Sequence, residues 1–178
     1  MGARKYKNKT IEDVPFISAM NVEIISPDTI KITVYEKSLA GCVEHLGEYM
    51  YFDRDGMVVE SSPNMTEGVP IVKGLSYDSI VLYEPLPVSD NNVFETILVI
   101  SQLYKKYEME AEVIQFTTGG NIVVHTGNIK AAMGKGENID DKVMTLASLM
   151  PDLSGQSGTV KLENYTKDSK NVIFKPDK

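Results

Sequence analysis

The stretch DRDG at residues 53–56 constrains the fold of this chain most, because it stands between two segments rich in Tyr, Val and Met. An Asp-x-Asp-Gly core also occurs in calcium-binding EF-hand loops. In that alignment, however, Tyr51 and Ser62 occupy the two positions that need a carboxylate and a bidentate Glu. Asp-Gly between two strand-like segments instead favours a tight β-hairpin turn. We therefore predict a hairpin here and no metal site.

Alternation of apolar and polar residues predicts strands along most of the chain. Val22 and Ile24, followed after the turn SPD by Ile30, Ile32 and Val34, predict a hairpin with one buried face. Further short strands are predicted at residues 40–46, 48–52, 57–61, 69–74, 111–116, 121–126, 128–133, 158–165 and 171–176.

Three segments have helical features. In residues 8–20, Thr10 is a plausible N-cap, and Ile11, Val14 and Ile17 are spaced to share one face. A second helix begins at Asn92, which forms a capping-box pattern with Glu95. A third occupies residues 138–150 and is stopped by Pro151. The apolar stripes of the last two helices are Val93, Ile97, Ile100, Tyr104 and Tyr107, and Val143, Leu146, Ala147 and Met150.

Charge and hydropathy exclude several classes of function. The net charge of −7 repels phosphate backbones, so we expect no nucleic-acid partner. The longest apolar run is ILVI at residues 97–100, far shorter than the roughly 20 residues of a membrane helix.

The chain has no recognisable catalytic constellation. The single cysteine, Cys42, stands among apolar residues and is typical of a small buried side chain. Neither His45 nor His125 has a second His or a Cys at metal-ligand spacing. Gly134 and Gly136 lack the further residues of a nucleotide-binding loop and indicate a loop before a helix. We therefore predict no catalytic, cofactor-binding or metal-binding residues and no cofactor.

The edges of a sheet are the remaining candidate surface, because an edge strand can accept a strand from a partner. In GTVKLENY, Val160 and Leu162 alternate with Lys161 and Glu163, which gives one apolar and one polar face. This pattern fits an edge strand and an interior strand equally well.

The order of motifs resembles the bacterial cell-division proteins of the FtsQ/DivIB family. The similarity extends over nearly the whole chain, although Lys37 stands where the family carries Arg. Its motifs are VPFI at 14–17, IKITVYEK at 30–37, YFDRDG at 51–56, VPIVKG at 69–74, and the C-terminal segments KVMTLASLM, SGTVKLENY and NVIFKP.

The resemblance implies an α+β fold in two parts. Residues 1–38 are expected to be the C-terminal part of an incomplete POTRA-like α/β module that the chain enters at its second helix. Residues 39–178 are expected to form a mixed or antiparallel β-sheet domain with two packed helices. The family's cytoplasmic tail and single membrane helix are absent from this sequence, so the resemblance implies an extracytoplasmic region of a single-pass cell-membrane protein.

The implied function is that of a non-enzymatic scaffold of the division machinery. Such proteins bind FtsB/DivIC-like and FtsL-like coiled-coil proteins, with septal cell-wall synthases as further partners, and help to control septal peptidoglycan synthesis. In the family the C-terminal strand receives a partner strand, but the insert TKDSKN leaves open which of the last two strands is the free edge. The corresponding partner-binding residues are Thr159, Val160, Lys161, Leu162, Glu163, Asn164 and Tyr165.

Two other classes of function remain. A POTRA-type chaperone or export module would bind many extended peptides instead of one partner. A cell-wall hydrolase would need a nucleophile or metal constellation, which the sequence does not offer.

Overall fold

The computed structural model describes the backbone of residues 17–36 and 38–178, and the side chains of residues 22–33 and 38–178. The chain divides into two compact units, Met1–Ser38 and Leu39–Lys178. Over the described residues the fold is α+β, with a two-stranded hairpin in the first unit and a large mixed sheet with two α-helices in the second.

The first unit contains the antiparallel hairpin predicted around the SPD turn. Strand β1 (Ile17–Ser26) pairs with β2 (Thr29–Glu36), so that Val22 lies opposite Ile32. The Ser26 hydroxyl donates to the Asp28 carboxylate at 2.6 Å across the turn, and this hydrogen bond is the main reason that the pKa of Asp28 lies below its usual range.

Two expectations for this unit need correction. The predicted helix at residues 8–20 is wrong from Ile17 onward, because residues 17–20 belong to β1 and pair with β2; its earlier part lies outside the described residues. The expected buried face of the hairpin is not found among its described isoleucine side chains either. Ile24, Ile30 and Ile32 are 48%, 63% and 59% exposed.

The second unit is built on a nine-stranded sheet whose order is β11-β10-β9-β8-β7-β6-β3-β4-β5. The predicted strands of this unit are confirmed, with shorter bounds in most cases. They are β3 (Gly41–His45), β4 (Glu48–Phe52), β5 (Val58–Ser62), β6 (Ile71–Lys73), β7 (Val113–Thr117), β8 (Asn121–Thr126), β9 (Ile129–Gly134), β10 (Gly158–Lys161) and β11 (Ile173–Pro176).

Parallel and antiparallel pairs mix within this sheet. Strand β3 runs parallel to β6, β6 to β7, and β9 to β10, whereas the other neighbouring pairs are antiparallel. The predicted DRDG turn joins β4 to β5. The carboxylate of Asp53 accepts hydrogen bonds from the backbone N–H groups of Asp55 and Met57 at 2.9 and 3.0 Å. Gly56 adopts a φ of +83° in this turn. Glycine reaches this left-handed conformation without strain because it has no side chain.

The two predicted helices of this unit are α1 (Asn92–Lys106) and α2 (Ile139–Leu149). The predicted capping box at Asn92 is wrong, since the helix is preceded by Asn91, which makes no side-chain cap. The carboxylate of Asp90 instead accepts a hydrogen bond from the backbone N–H of Asn92 at 3.0 Å.

Both helices contribute to one core on one face of the sheet. Buried residues of α1 and α2 join alternate residues of the strands in a single apolar cluster. The strands present their other residues on a second face, where Cys42, Tyr51 and Ala132 are buried without belonging to that cluster. The central members of the core are Val43, Phe52, Val72, Phe94, Ile97, Ile100, Ile114, Val124, Ala131, Val143, Leu146 and Val160.

Candidate functional site at the C-terminal border of the sheet

Strand β10, which contains Thr159, Val160 and Lys161 of the predicted partner site, lies inside the sheet. It pairs with β9 on one side and with β11 on the other. Leu162, Glu163, Asn164 and Tyr165 follow in the connection to β11, where the backbone N–H of Tyr165 donates to the carbonyl of Leu162. The expectation that an open edge lies at residues 159–165 therefore needs correction, and the border of the sheet is β11.

Every main-chain group of β10 faces a neighbouring strand. The backbone N–H of Gly158 donates to the carbonyl of Asn128, just before β9, at 3.2 Å. The backbone N–H of Leu162 donates to the carbonyl of Ala132 in β9 at 2.9 Å. Successive residues of a strand direct their main-chain N–H and C=O groups to opposite sides, so those of Thr159 and Lys161 point to β11. A partner strand consequently has no access to the backbone of β10.

The same alternation identifies the outward groups of β11. The backbone N–H of Asp177 donates to the carbonyl of Ser157 at 2.9 Å. Every second residue before Asp177, namely Lys175 and Ile173, therefore also directs its main-chain groups to β10. Val172, Phe174 and Pro176 direct their main-chain groups to the border. Since proline has no backbone N–H, Phe174 is the residue of β11 that offers both a donor and an acceptor there.

The side chains of β11 divide between the two faces. Phe174 is half-buried and packs against the core on the helix-covered face. Ile173 is on the second face and is 67% exposed, next to the exposed Lys175. The border therefore combines outward backbone groups with an apolar residue on each face.

The opposite border of the sheet is partly covered. At β5, the backbone N–H of Val58 donates to the carbonyl of Glu84, and the backbone N–H of Tyr83 donates to the carbonyl of Val58. Nearby, Met57 and Pro85 form an isolated antiparallel bridge. Of the two borders of this sheet, β11 is thus the better candidate for strand addition.

Basic side chains gather on the second face beside the β11 border. Register pairs place Lys175, Thr159, Lys130 and His125 in one row across β11, β10, β9 and β8. Burial lowers the pKa of His125 below its usual range, and repulsion from Lys130 and then Lys73 lowers it further, against an opposing effect of Glu112. Lys130 and Lys73 therefore act on His125 from this face together with one carboxylate, that of Glu112.

The other residues singled out in the sequence contribute no chemistry to this border. His45 lies edge-on to Tyr77, with ring centroids 6.0 Å apart. Cys42 is fully buried, and burial, with a smaller effect of Glu44, raises the pKa of its thiol to about 12. Gly136 lies in the predicted loop before α2, whereas Gly134 is the last residue of β9, so the prediction of a loop is wrong for Gly134. In the part of the chain that the structure describes, no three His, Cys, Asp or Glu residues are grouped as metal ligands.

Sequence reasoning predicted NVIFKP as a strand and left open whether it is the free edge, but it did not name the border residues Val172, Phe174 and Pro176. It also missed Lys142, whose buried side chain holds the segment after β10. The sequence did contain a sign of its burial. Lys142 stands four and seven residues before Leu146 and Leu149 in α2, which places it on the same apolar side of the helix.

Comparison with known proteins does not identify the chain. No family model matches it, and no curated protein matches it significantly. Within the described residues, neither helix is long and apolar enough to span a bilayer.

Proposed function

We propose that this chain is the extracytoplasmic part of a bacterial division scaffold of the FtsQ/DivIB type and that β11 is its partner-binding border. The observation that carries the proposal is the position of β11 at the end of the sheet, with the main-chain groups of Phe174 directed outward. An added strand gains affinity from main-chain hydrogen bonds and gains its register from side chains on both faces.

The proposal assigns the partner site to β11 instead of β10. Of the family motifs, NVIFKP then forms the border and GTVKLENY supports it from inside the sheet. Pro176 closes the border at one end because it contributes an outward carbonyl without an N–H. A partner strand is thereby restricted to the part of the border around Val172 and Phe174.

The two units correspond in this proposal to two modules of the family. The β1–β2 hairpin would be the end of a POTRA-like module, and Leu39–Lys178 would be the β domain that carries the partner site. The unit boundary between Ser38 and Leu39 is compatible with this assignment.

The remaining parts of the proposal rest on the resemblance of motifs. The partner is an FtsB/DivIC-like protein in complex with an FtsL-like protein, and septal synthases are reached through this assembly. The chain performs no chemistry itself, and in the intact protein a single membrane helix anchors it outside the cytoplasm.

The decisive test compares Phe174→Pro with Phe174→Ala. Both variants lose the aromatic ring, but only the proline variant loses the outward N–H of the border, and neither changes a group that pairs with β10. We expect Phe174→Pro to bind the ectodomains of the FtsB/DivIC-like and FtsL-like proteins from the same genome about tenfold more weakly than Phe174→Ala, since one main-chain hydrogen bond and close strand approach are lost.

Calorimetric titration with those ectodomains gives the dissociation constants, and thermal melting shows whether both variants remain folded. Equal affinities of the two folded variants would contradict strand addition at β11. An alkylated, unfolded model protein serves as a second probe. If it binds the wild-type chain as tightly as the division proteins do, the chain is a general peptide-binding module.

A further inference from the structure

Lys142 is a charged residue in the interior of the second unit. It lies in the first half of α2 and is only 1% exposed. Its ammonium group donates to the backbone carbonyls of Met133 at 2.8 Å and Glu163 at 3.1 Å. A buried ammonium group without such acceptors would be strongly unfavourable, so these contacts explain how the charge is tolerated.

The two acceptors belong to segments that must meet for the border to form. Met133 is near the end of β9, and Glu163 follows β10. Their neighbours are also joined, because the backbone N–H of Leu162 donates to the carbonyl of Ala132 at 2.9 Å. Lys142 thus fixes from α2 the place where the chain leaves β10 beside β9.

Gly134 shows how closely these segments approach. Its φ is +68°, and a Cβ atom added there would lie 3.0 Å from the carbonyl oxygen of Glu163. A Cβ atom at this position would require the segment after β10 to shift by a few tenths of an ångström. Gly134 and Lys142 therefore both support the contact between the end of β9 and Glu163. Gly134 leaves space for the Glu163 backbone, and Lys142 donates a hydrogen bond to it.

The border depends on this contact because β10 and β11 have only four residues each. Among the described strands, β11 pairs only with β10, so its position follows that of β10. A second link between α2 and this region, from Lys167 to Asp141, is 3.8 Å long and the Lys167 side chain is 80% exposed. Such an exposed pair contributes little.

We propose that Lys142 is the positioning residue of the partner-binding border: its buried ammonium group holds the Leu162–Glu163 segment against β9 and so keeps β10 and β11 in the geometry that an added strand requires. The assignment of β11 as a partner site rests on the proposed function, whereas the anchoring by Lys142 is a property of the free chain. Burial, which lowers the pKa of Lys142, is opposed by the nearby carboxylates of Glu137 and Glu163, in keeping with an ammonium group held at this point.

The first experiment measures amide hydrogen exchange of the free chain. Lys142→Met keeps an unbranched apolar side chain but removes the ammonium donor from the buried carbonyl of Met133 and from the part-buried carbonyl of Glu163. We expect the amides of Lys161, Ile173 and Lys175 to exchange about tenfold faster in this variant, while those of α1 change less than about twofold. Lys105→Met is the matched control, since Lys105 is an exposed lysine of α1.

A second variant, Gly134→Ala, disturbs the same contact without touching the lysine and should accelerate exchange at the same amides. The proposal is overturned if exchange in β10 and β11 stays at the wild-type rate in both variants. It is also overturned if exchange accelerates equally in α1, because the lysine would then support the whole unit and not the border in particular.

The second experiment titrates the same variants with the division-protein ectodomains. Lys142→Met and Gly134→Ala should bind at least about tenfold more weakly than the wild type, and Lys105→Met should bind like it. Undiminished binding by both border variants would contradict the positioning role. If the wild-type chain itself does not bind, the proposed function fails, while the exchange rates still decide whether Lys142 holds the border.

Discussion

Phe174 lies opposite Val160 across the β10–β11 ladder, and both side chains stand on the helix-covered face of the sheet. In this pair the main-chain groups of the two residues point away from each other. Those of Val160 point to β9, and those of Phe174 point to the open border. One pair thus separates the interior of the sheet from its edge.

This relationship predicts that Val160→Pro damages the fold. The substitution removes an N–H that pairs with β9 and a side chain that is fully buried. We expect the free energy of unfolding to fall by about 3 kcal/mol or more, measured by urea denaturation.

Val172→Pro provides the control for Val160→Pro. Val172 precedes β11, is half-buried, and directs its main chain to the border. Proline there should lower the free energy of unfolding by less than about 1.5 kcal/mol. Equal losses in the two variants would mean that the main chain of β10 is not enclosed as described.

Local patterns were sufficient to predict most strands but not their neighbours. The alternation of the buried Ile122 and Val124 with exposed or half-buried residues indicates β8 without any knowledge of the strands beside it. The pairing of β10 with β9 instead spans the whole of α2, and nothing in GTVKLENY encodes which strand will lie beside it. The choice between edge and interior was therefore beyond sequence reasoning.

Two further misses have similar causes. Asp90, Asn91 and Asn92 can all cap a helix, so composition could not place the start of α1. The position of Ile17 is consistent with the apolar face of a helix and also with a strand. In the structure it pairs with Glu36 of β2 and is part of a strand. For Ile17, a partner strand thus selects between two locally equivalent choices.

Asp53 is predicted to stabilise the turn between β4 and β5. Its carboxylate accepts two backbone hydrogen bonds, from Asp55 and Met57. Asp53→Ala should lower the free energy of unfolding by about 1–2 kcal/mol, whereas Asp55→Ala, which removes an exposed carboxylate, should change it by less than about 0.5 kcal/mol. Chemical denaturation of both variants checks this difference, and a reversed order would contradict it.

Alanine substitutions at Gly74 and Gly68 distinguish the effect of backbone strain at a positive φ from the effect of a steric clash of the added Cβ atom. Both have a positive φ, of +82° and +78°. A Cβ atom at Gly74 would lie 1.8 Å from the backbone oxygen of Phe116, whereas nothing lies within 4 Å at Gly68. We expect Gly68→Ala to lower the free energy of unfolding by about 1–2 kcal/mol and Gly74→Ala by clearly more.

Thermal and urea denaturation of the two alanine variants measure this difference. Similar losses would show that β6 and β7 can separate enough to accommodate the added methyl group. They would also contradict the close approach of Gly74 to Phe116.

His125 is predicted to make the second unit less stable in mild acid. Its pKa is below the ordinary 6.5 because of burial and of repulsion by Lys130 and Lys73, partly offset by Glu112. The unfolded chain therefore binds a proton at a higher pH than the folded chain does. The contribution of His125 to stability is complete above the unfolded pKa and is lost as the pH falls toward the folded pKa.

The measurement is urea denaturation of the wild type and His125→Gln between about pH 7.5 and about pH 5.5, a range above the ordinary pKa values of carboxyl groups. We expect the wild type to lose more stability than the variant over this interval. An equal pH dependence of the two proteins would show that His125 does not titrate differently in the folded chain.

Pro176 is predicted to protect the border from pairing between copies of the chain. Its outward position lacks an N–H, which shortens the part of β11 that can accept another strand. Pro176→Val restores that donor and adds a β-branched residue to β11. We expect sedimentation velocity to show concentration-dependent self-association of this variant at concentrations where the wild type does not change. Pro87→Val, at an exposed proline outside the strands, should behave like the wild type, and association of both variants alike would refute a specific role of Pro176.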